Sequence, residues 1–274
     1  MEHIVKRETR GRLTKDGIRI YDAADFAGMH AAGLLAAEIL DAIAAHVFVG
    51  QSTAEIDRII EEMIKDAGAR SATIGYKGYK HASCISVNHV VCHGIPGDKT
   101  LKDGDILNID VTVIVGGWYG DTSRMYVAGK LPRKAERLID ITHDALMRGI
   151  EAVKPGHTFG DIGHAIQAFV ESHRMSVVRD FCGHGLGRVF HAPPNVLHYG
   201  RPGTGAMLEP GMFFTIEPMV NLGRAETKTL SDDWTAVTRD KSLSAQFEHS
   251  VGVTEDGCEI FTLSPKGRFH PTYG

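Results

Sequence analysis

Apolar residues recur at helical spacing through residues 25–48, 52–68, 133–153 and 161–173, and each pair of helical stretches is followed by shorter, strand-like apolar runs. The second helix opens with Ser52-x-x-Glu55, a capping-box pattern in which hydroxyl and carboxylate each satisfy a free backbone N–H. Ile56, Ile59, Ile60, Met63 and Ile64 line one of its faces, and Gly68 marks its stop. Its counterpart presents Ile162, Ile166, Phe169 and Val170 inward. Residues 106–115 and 118–127 read as strands joined by the turn Gly116-Gly117, a β-hairpin. Residues 212–220 and 246–253 read as a second strand pair, separated by a longer polar excursion over 221–242.

This pattern repeats at the level of single residues. Gly104, Ile109 and Asp110 correspond to Gly211, Ile216 and Glu217 at one constant offset, and the Gly50-Gln51-Ser52 turn resembles Gly156-His157-Thr158. Duplication predicts an α+β chain folded as a pseudo-two-fold sandwich with helices outside, pseudo-repeats at 25–130 and 131–265, and an acid from each half at one sheet centre. Residues 1–24 are polar and aperiodic and are expected to form an N-terminal arm. Residues 25–274 are expected to form one domain, because each half carries only part of the acid cluster.

Five residues suit a hard cation: Asp110, Asp121, His184, Glu217 and Glu248. Asp110 and Asp121 lie across the hairpin turn and are expected to face one another on one side of the sheet. Either acid alone has an ordinary reading, as the partner of a buried Arg or as part of a turn. Glu217, inside the apolar run FFTIEPMV, is harder to explain that way, since an unpartnered carboxylate there costs several kcal/mol, about the scale of a buried uncompensated charge. Gathering four carboxylates calls for cations between them. His184 sits in CGHGLG, which lacks the Lys of a phosphate loop and the spacing of a dinucleotide fingerprint. His93 precedes a Gly-Ile-Pro turn, and His191 lies in FHAPPN. Read from residues alone, His93 is equally a satisfied core histidine, and Tyr76, Tyr79, Phe190 and Trp234 are equally ordinary core. His30, His46 and His173 fall on helical stretches and are assigned no role.

Bulk properties narrow the field further. A net charge of −4 argues against a broad nucleic-acid surface, so no DNA partner is expected. No eighteen uncharged apolar residues run together and the first residues carry no signal-like apolar stretch, so a cytoplasmic protein without membrane contact is expected. Cys84, Cys92, Cys182 and Cys258 lack C-x-x-C spacing and read as free thiols.

The stretches CISVNHVVCHGIPG, NIDVTVIVGGWYGDTSRMY, FCGHGLGRVFHAPPNV, FFTIEPMV and SAQFEHSVGVT together resemble the type I methionine aminopeptidases of peptidase family M24, from about residue 25 to the last strand. The resemblance implies the pita-bread fold and two divalent metal ions, Co, Mn, Fe or Zn, held by Asp110, Asp121, His184, Glu217 and Glu248, with Asp121 and Glu248 bridging. It implies His93 near the scissile nitrogen, His191 near the scissile carbonyl oxygen, and a methionine pocket of Tyr76, Tyr79, Cys84, Phe190 and Trp234, which replaces the core reading of the aromatics. The activity implied is removal of the initiator methionine from nascent polypeptide N-termini, before a small second residue. A hydroxide bridging the metals would attack and Glu217 would carry protons. A monomer is implied, and work at the ribosome is conceivable.

About 26 residues separate His191 from Glu217, too few for the helical insertion of type II enzymes. Thr73 and His89 depart from the bacterial pattern, which has a pocket cysteine and an acid there. No N-terminal zinc-binding extension is seen, so a bacterial-like or organellar origin is expected. Two rivals stay open: Xaa-Pro cleavage, as in aminopeptidase P or prolidase, and a non-catalytic pita-bread protein that binds partners or RNA.

Overall fold

A computed structural model describes residues 10–269, 271 and 273. The expected N-terminal arm is only partly within reach, since its first nine residues lie outside the described residues. From Arg10 onward it forms a small hairpin, Arg12–Leu13 with Arg19–Ile20. This segment is no mere surface arm, because Ile18 and Tyr21 are buried and the Tyr21 ring stacks on Phe213 at 4.7 Å.

Helix α1 (Ala23–Ile43) begins where Asp22 and Asp25 form a reciprocal capping box, and a 3₁₀ turn, Ala44–His46, continues it. Ala23–His46 is long and apolar enough to cross a membrane by length and composition. About half of it is nevertheless buried in the protein's own interior. Met29, Ala32, Ala36, Leu40 and Ile43 are buried, and a Cβ at Gly28 or Gly33 would lie 2.2 Å from the Trp118 ring or 2.3 Å from the Phe261 carbonyl oxygen.

Helix α2 (Thr53–Asp66) ends just before Gly68, whose φ of +68° reverses the chain. Only half of its expected capping box forms. The Ser52 hydroxyl accepts from Glu55 N, but the Glu55 carboxylate turns to Arg58 instead. A full box forms between Thr158 and Asp161 at the corresponding place in the second half. Helices α3 (Arg133–Glu151) and α4 (Phe159–Ser172) supply the second pair close to the expected limits.

In the first half, strands β1 (Ser83–Val87), β2 (Val90–Cys92), β3 (Asp105–Val115) and β4 (Trp118–Ala128) include the expected hairpin. Register runs unbroken from Asp105↔Ala128 to Val115↔Trp118. Alternation then sorts the side chains. Leu107, Ile109, Val111 and Val113 pack with Ile56, Ile60 and Ile64 of α2, while Asn108, Asp110 and Thr112 point to the opposite face. Asp110 pairs with Ser123, and Asp121 with Thr112. The two acids therefore share a face as diagonal neighbours instead of facing each other directly.

The second half is more broken. Its strands include β5 (Gly183–Gly185), β6 (Ala192–Val196), β7 (Phe213–Ile216), β8 (Met219–Asn221), β9 (Ser244–Gln246) and β10 (His249–Val253). The two long strands expected at 212–220 and 246–253 are each interrupted, at Glu217-Pro218 and at Phe247-Glu248. Pro218 has no N–H to give a ladder, which is reason enough for the first break. The excursion over 221–242 is not all loop, since Thr227–Thr229 pairs with Ala236–Thr238, and the latter pairs with β2. Leu138, Ile139, Ile162 and Ile166 from the second helix pair cover Phe214, Ile216 and Val220.

Polar contacts tie the halves where the acids lie. Asn108 Nδ2 donates to the Gln246 carbonyl at 2.8 Å, and Ser250 Oγ donates to the Asp121 carbonyl at 2.7 Å. Glu248 N donates to the Ser123 carbonyl at 3.1 Å, bridging β4 to the break in the second half.

Candidate metal centre and pocket

All five proposed cation donors line one cavity of about 930 Å³. Asp121, His184 and Glu248 each offer a ligand atom within 4.8 Å of the others. His184 Nε2 lies 3.5 Å from Asp121 Oδ2 and 3.8 Å from Glu217 Oε1. Its other nitrogen, Nδ1, is 3.2 Å from the Gly185 carbonyl, an acceptor that places the ring hydrogen on Nδ1 and leaves Nε2 turned to the acids. Strand alternation puts Asp110 and Asp121 on one face, and the two breaks put Glu217 and Glu248 opposite them.

The carboxylates are oriented by hydrogen bonds from polar side chains of the surrounding strands. Thr112 Oγ1 donates to Asp121 Oδ1 at 2.6 Å. Thr215 Oγ1 donates to Glu217 Oε1 at 2.8 Å while accepting the His184 N–H at 3.0 Å. Gln246 Nε2 reaches Glu217 Oε2 at 3.3 Å, and His198 Nε2 accepts the Glu217 backbone N–H at 3.0 Å. Sequence reading assigned none of these four. The signal for three was present, because Thr112, Thr215 and Gln246 each stand two residues from an acid and so share its side of the strand.

The electrostatics are those of an acid cluster short of positive charge. Burial, with Asp121 and Glu217 nearby, holds Asp110 well above the usual carboxylate range. Burial and then Asp121 do the same to Glu248. Burial pushes Glu217 up to about 7, although His184 pulls the other way. At His184, burial opposes protonation, but hydrogen bonding to Asp121 and the charge of Glu217 outweigh it, and its pKa rises. Among the described residues no Lys or Arg pairs with these acids; Arg124, nearest along the chain, pairs with Asp41 instead. Four carboxylates and an imidazole gathered on one buried wall, with no Lys or Arg partner among the described residues, fit a divalent cation of the hard or borderline class.

Around this centre the structure brings together the other expected residues. Tyr76, Tyr79, Cys84, His93, Phe190, His191 and Trp234 all line the same cavity. The Tyr76 ring stands 5.0 Å from Phe190 and 5.1 Å from His191, and Trp234 stands 4.8 Å from Tyr79 and 6.1 Å from His93. His93 adopts φ +55°, uncommon for a residue with a Cβ, and the turn is held by the Gly94 N–H, which donates to Ser86 Oγ at 3.1 Å. Burial lowers the pKa of His93, with the Lys77 charge adding to it, so the imidazole is neutral near pH 7. Thr73 lines the pocket wall, its hydroxyl donating to the His81 carbonyl at 2.7 Å. The four cysteines are free thiols.

Comparison with known proteins places this architecture. Residues 27–255 match the profile of Metallopeptidase family M24. A methionine aminopeptidase of Rickettsia prowazekii (strain Madrid E) is 57% identical over 257 residues, spanning 93% of this chain and 99% of that protein. The methionine aminopeptidase of Escherichia coli (strain K12) is 53% identical over 248 residues, spanning 90% of this chain and 94% of its own length. The crystal structure of the Rickettsia prowazekii protein superposes with a TM-score of 0.89 over 90% of this chain. A prolidase from Pyrococcus furiosus shares the fold at a TM-score of 0.72 but only 22% identity, and this chain covers 65% of it.

Proposed function

The chain belongs to metallopeptidase family M24, and from that premise we propose that it is a metal-dependent aminopeptidase that removes N-terminal methionine. Its fold is the α+β pita-bread fold shared with its relatives. The observation that carries the reading is the identity of 57% with a methionine aminopeptidase along nearly the whole of both chains, joined to a cavity where acids and aromatics meet. The prolidase likeness, at 22% identity, speaks for the fold alone. The five donors on one cavity weigh against a protein that only binds partners.

Asp110, Asp121, His184, Glu217 and Glu248 would hold two divalent cations, Mn, Fe, Co or Zn. Cations held there would supply Lewis-acid polarisation of a carbonyl and lower the pKa of water. The remaining work falls to side chains. Tyr76, Tyr79, Cys84, Phe190 and Trp234 form a soft slot for an unbranched thioether. Neutral His93 presents a ring nitrogen to the scissile amide nitrogen, and His191 stabilises the carbonyl oxygen as charge develops on it. Glu217, on the cavity wall among the cation donors, takes the water proton and delivers it to the leaving nitrogen. The acid-lined end of the cavity receives the free α-amine, which limits cleavage to the first residue. A cytoplasmic monomer acting on nascent polypeptide N-termini, before small second residues, accords with this site.

The deciding experiment is release of methionine from Met-Ala-Ser after chelation and re-addition of Mn(II), Co(II) or Fe(II), beside Asp110→Asn and beside an Xaa-Pro peptide. Metal-dependent release lost in the variant supports the reading. Cleavage of the Xaa-Pro peptide alone would move the assignment to the proline-specific branch, and absence of any hydrolysis would favour a binding protein.

A further inference from the structure

The break after Ile216 has a consequence for one backbone group. Strand β7 stops there, Pro218 has no N–H, and the Glu217 N–H has no place in a ladder. His198 takes it, at 3.0 Å from Nε2. This histidine is wholly buried, and its Nδ1 finds no partner among the described residues. An imidazole nitrogen that accepts from an amide carries no hydrogen, so the neutral ring bears its proton on the unpartnered Nδ1. Burying that N–H disfavours the arrangement, and a phenyl ring of similar size would escape the penalty. What phenyl lacks is the acceptor for Glu217.

The rest of the neighbourhood holds the ring in place. Segment 197–201 lies against α4 so closely that a Cβ at Gly163 would come within 2.4 Å of the Tyr199 carbonyl oxygen and 2.7 Å of that of Leu197. A Cβ at Gly160 would come within 2.3 Å of the Arg201 carbonyl oxygen. The Gly200 N–H donates to Gln167 Oε1 at 3.2 Å. Two helix glycines thus admit the segment that carries His198, and that segment sets the height of the imidazole beneath Glu217.

We propose that His198 is a positioning residue: by accepting the Glu217 N–H it fixes where the strand ends, and hence the direction from which the Glu217 carboxylate meets cation and substrate. Thr215 and Gln246 orient the carboxylate itself, and His198 orients the backbone from which it springs. The inference rests on the role of Glu217 given above.

The test compares His198→Phe with His198→Gln, whose amide oxygen can reach the place of Nε2. Three readouts are needed: hydrogen exchange at the Glu217 amide in the metal-free chain, Mn(II) affinity by calorimetry, and kcat and KM on Met-Ala-Ser. In His198→Phe the Glu217 amide is expected to exchange faster. Mn(II) affinity and kcat should fall by about 10–100-fold, the size of other outer-shell losses, with little change in KM. His198→Gln should recover most of each. Wild-type protection, affinity and kcat in His198→Phe overturn the proposal. So does a loss that tracks lowered thermal stability and is not rescued by Gln. If His198→Phe does not fold, Gly163→Ala, which presses on segment 197–199, should show a weaker form of the same signature; unchanged Glu217 exchange and affinity there count against it. Should wild-type protein release no methionine with any metal, the aminopeptidase reading falls, while amide exchange and Mn(II) affinity still decide the role of His198.

Discussion

Strand β4 carries two charged residues three positions apart, Asp121 and Arg124, and they face opposite sides of the sheet into two differently balanced interiors. On the helix side Arg124, 3% exposed, pairs with Asp41 of α1, 1% exposed, and Ser264 Oγ donates to both oxygens of that carboxylate. Arg268 closes the group by donating to the Asp41 carbonyl at 2.6 Å. On the pocket side Asp121 lies with three more carboxylates and one imidazole, and among the described residues no Lys or Arg pairs with them. One interior balances its charge from within the chain; the other is built with an excess of acid. Buried charge must be compensated either way, so the difference marks where an external cation belongs.

The largest expected effect comes from breaking the unbalanced side. Asp110→Asn should abolish metal-dependent methionine release, a loss beyond the about 10–100-fold typical of an outer-shell change. In the metal-free chain the same substitution should raise the melting temperature, because it removes one of several mutually repelling buried acids. A lower melting temperature in metal-free Asp110→Asn would speak against an acid excess. Arg124→Met should act in the opposite sense, leaving Asp41 buried without its counter-charge at a cost of about 3–5 kcal/mol, measured by chemical denaturation. Adding Asp41→Leu to it should recover much of that stability, and failure to do so would mean that Arg124 matters for packing more than for charge.

The sequence made much of this contrast legible, and for a physical reason. An acid inside an apolar strand is costly enough to be an anomaly, so Glu217 in FFTIEPMV and Asp110 in NIDVT stood out, and the repeated spacing linked them. Helix limits were close to those observed because apolar periodicity and caps are local. The breaks at Glu217-Pro218 and Phe247-Glu248 were passed over, although Pro218 was a visible warning for the first. The box at Ser52 formed by half because Glu55 found Arg58, a choice between two neighbours that spacing alone does not settle. His198 was out of reach altogether: its partner is a backbone N–H nineteen residues on, brought near only by tertiary packing. Ile18 and Tyr21 were similarly hidden, since their burial depends on a strand from the other half of the chain.

Two smaller effects sharpen the comparison without altering any side chain. Supplying Mn(II) at about a hundredfold excess over its dissociation constant should stabilise the wild-type fold by about 2.7 kcal/mol, by mass action alone. The gain should be read as a shift in denaturation midpoint and should vanish in Asp110→Asn, whereas Arg124→Met should keep it if the two interiors are independent. Equal stabilisation of wild type and Asp110→Asn would place the cation elsewhere.

The smallest effect is one of pH, and its sign follows from which state binds more protons. In the metal-free chain burial raises the Glu217 pKa to about 7, above the ordinary glutamate value of about 4.3, so between those values the folded state holds more protons than the unfolded one. The contribution of Glu217 to folding stability then rises as pH falls from about 7 towards 4.3, and is lost again as pH climbs back through the folded pKa, while buried neutral histidines such as His198 and His249 act in the opposite sense. Divalent cation in the centre removes the reason for the raised pKa, so the metal-loaded chain should lack this gain on mild acidification. Denaturation midpoints of both forms at pH 5.5 and 7.5 make the comparison, because the buried histidines act alike in each; a metal-free midpoint that falls on acidification as much as the metal-loaded one would show that the acids are already compensated, as Asp41 is.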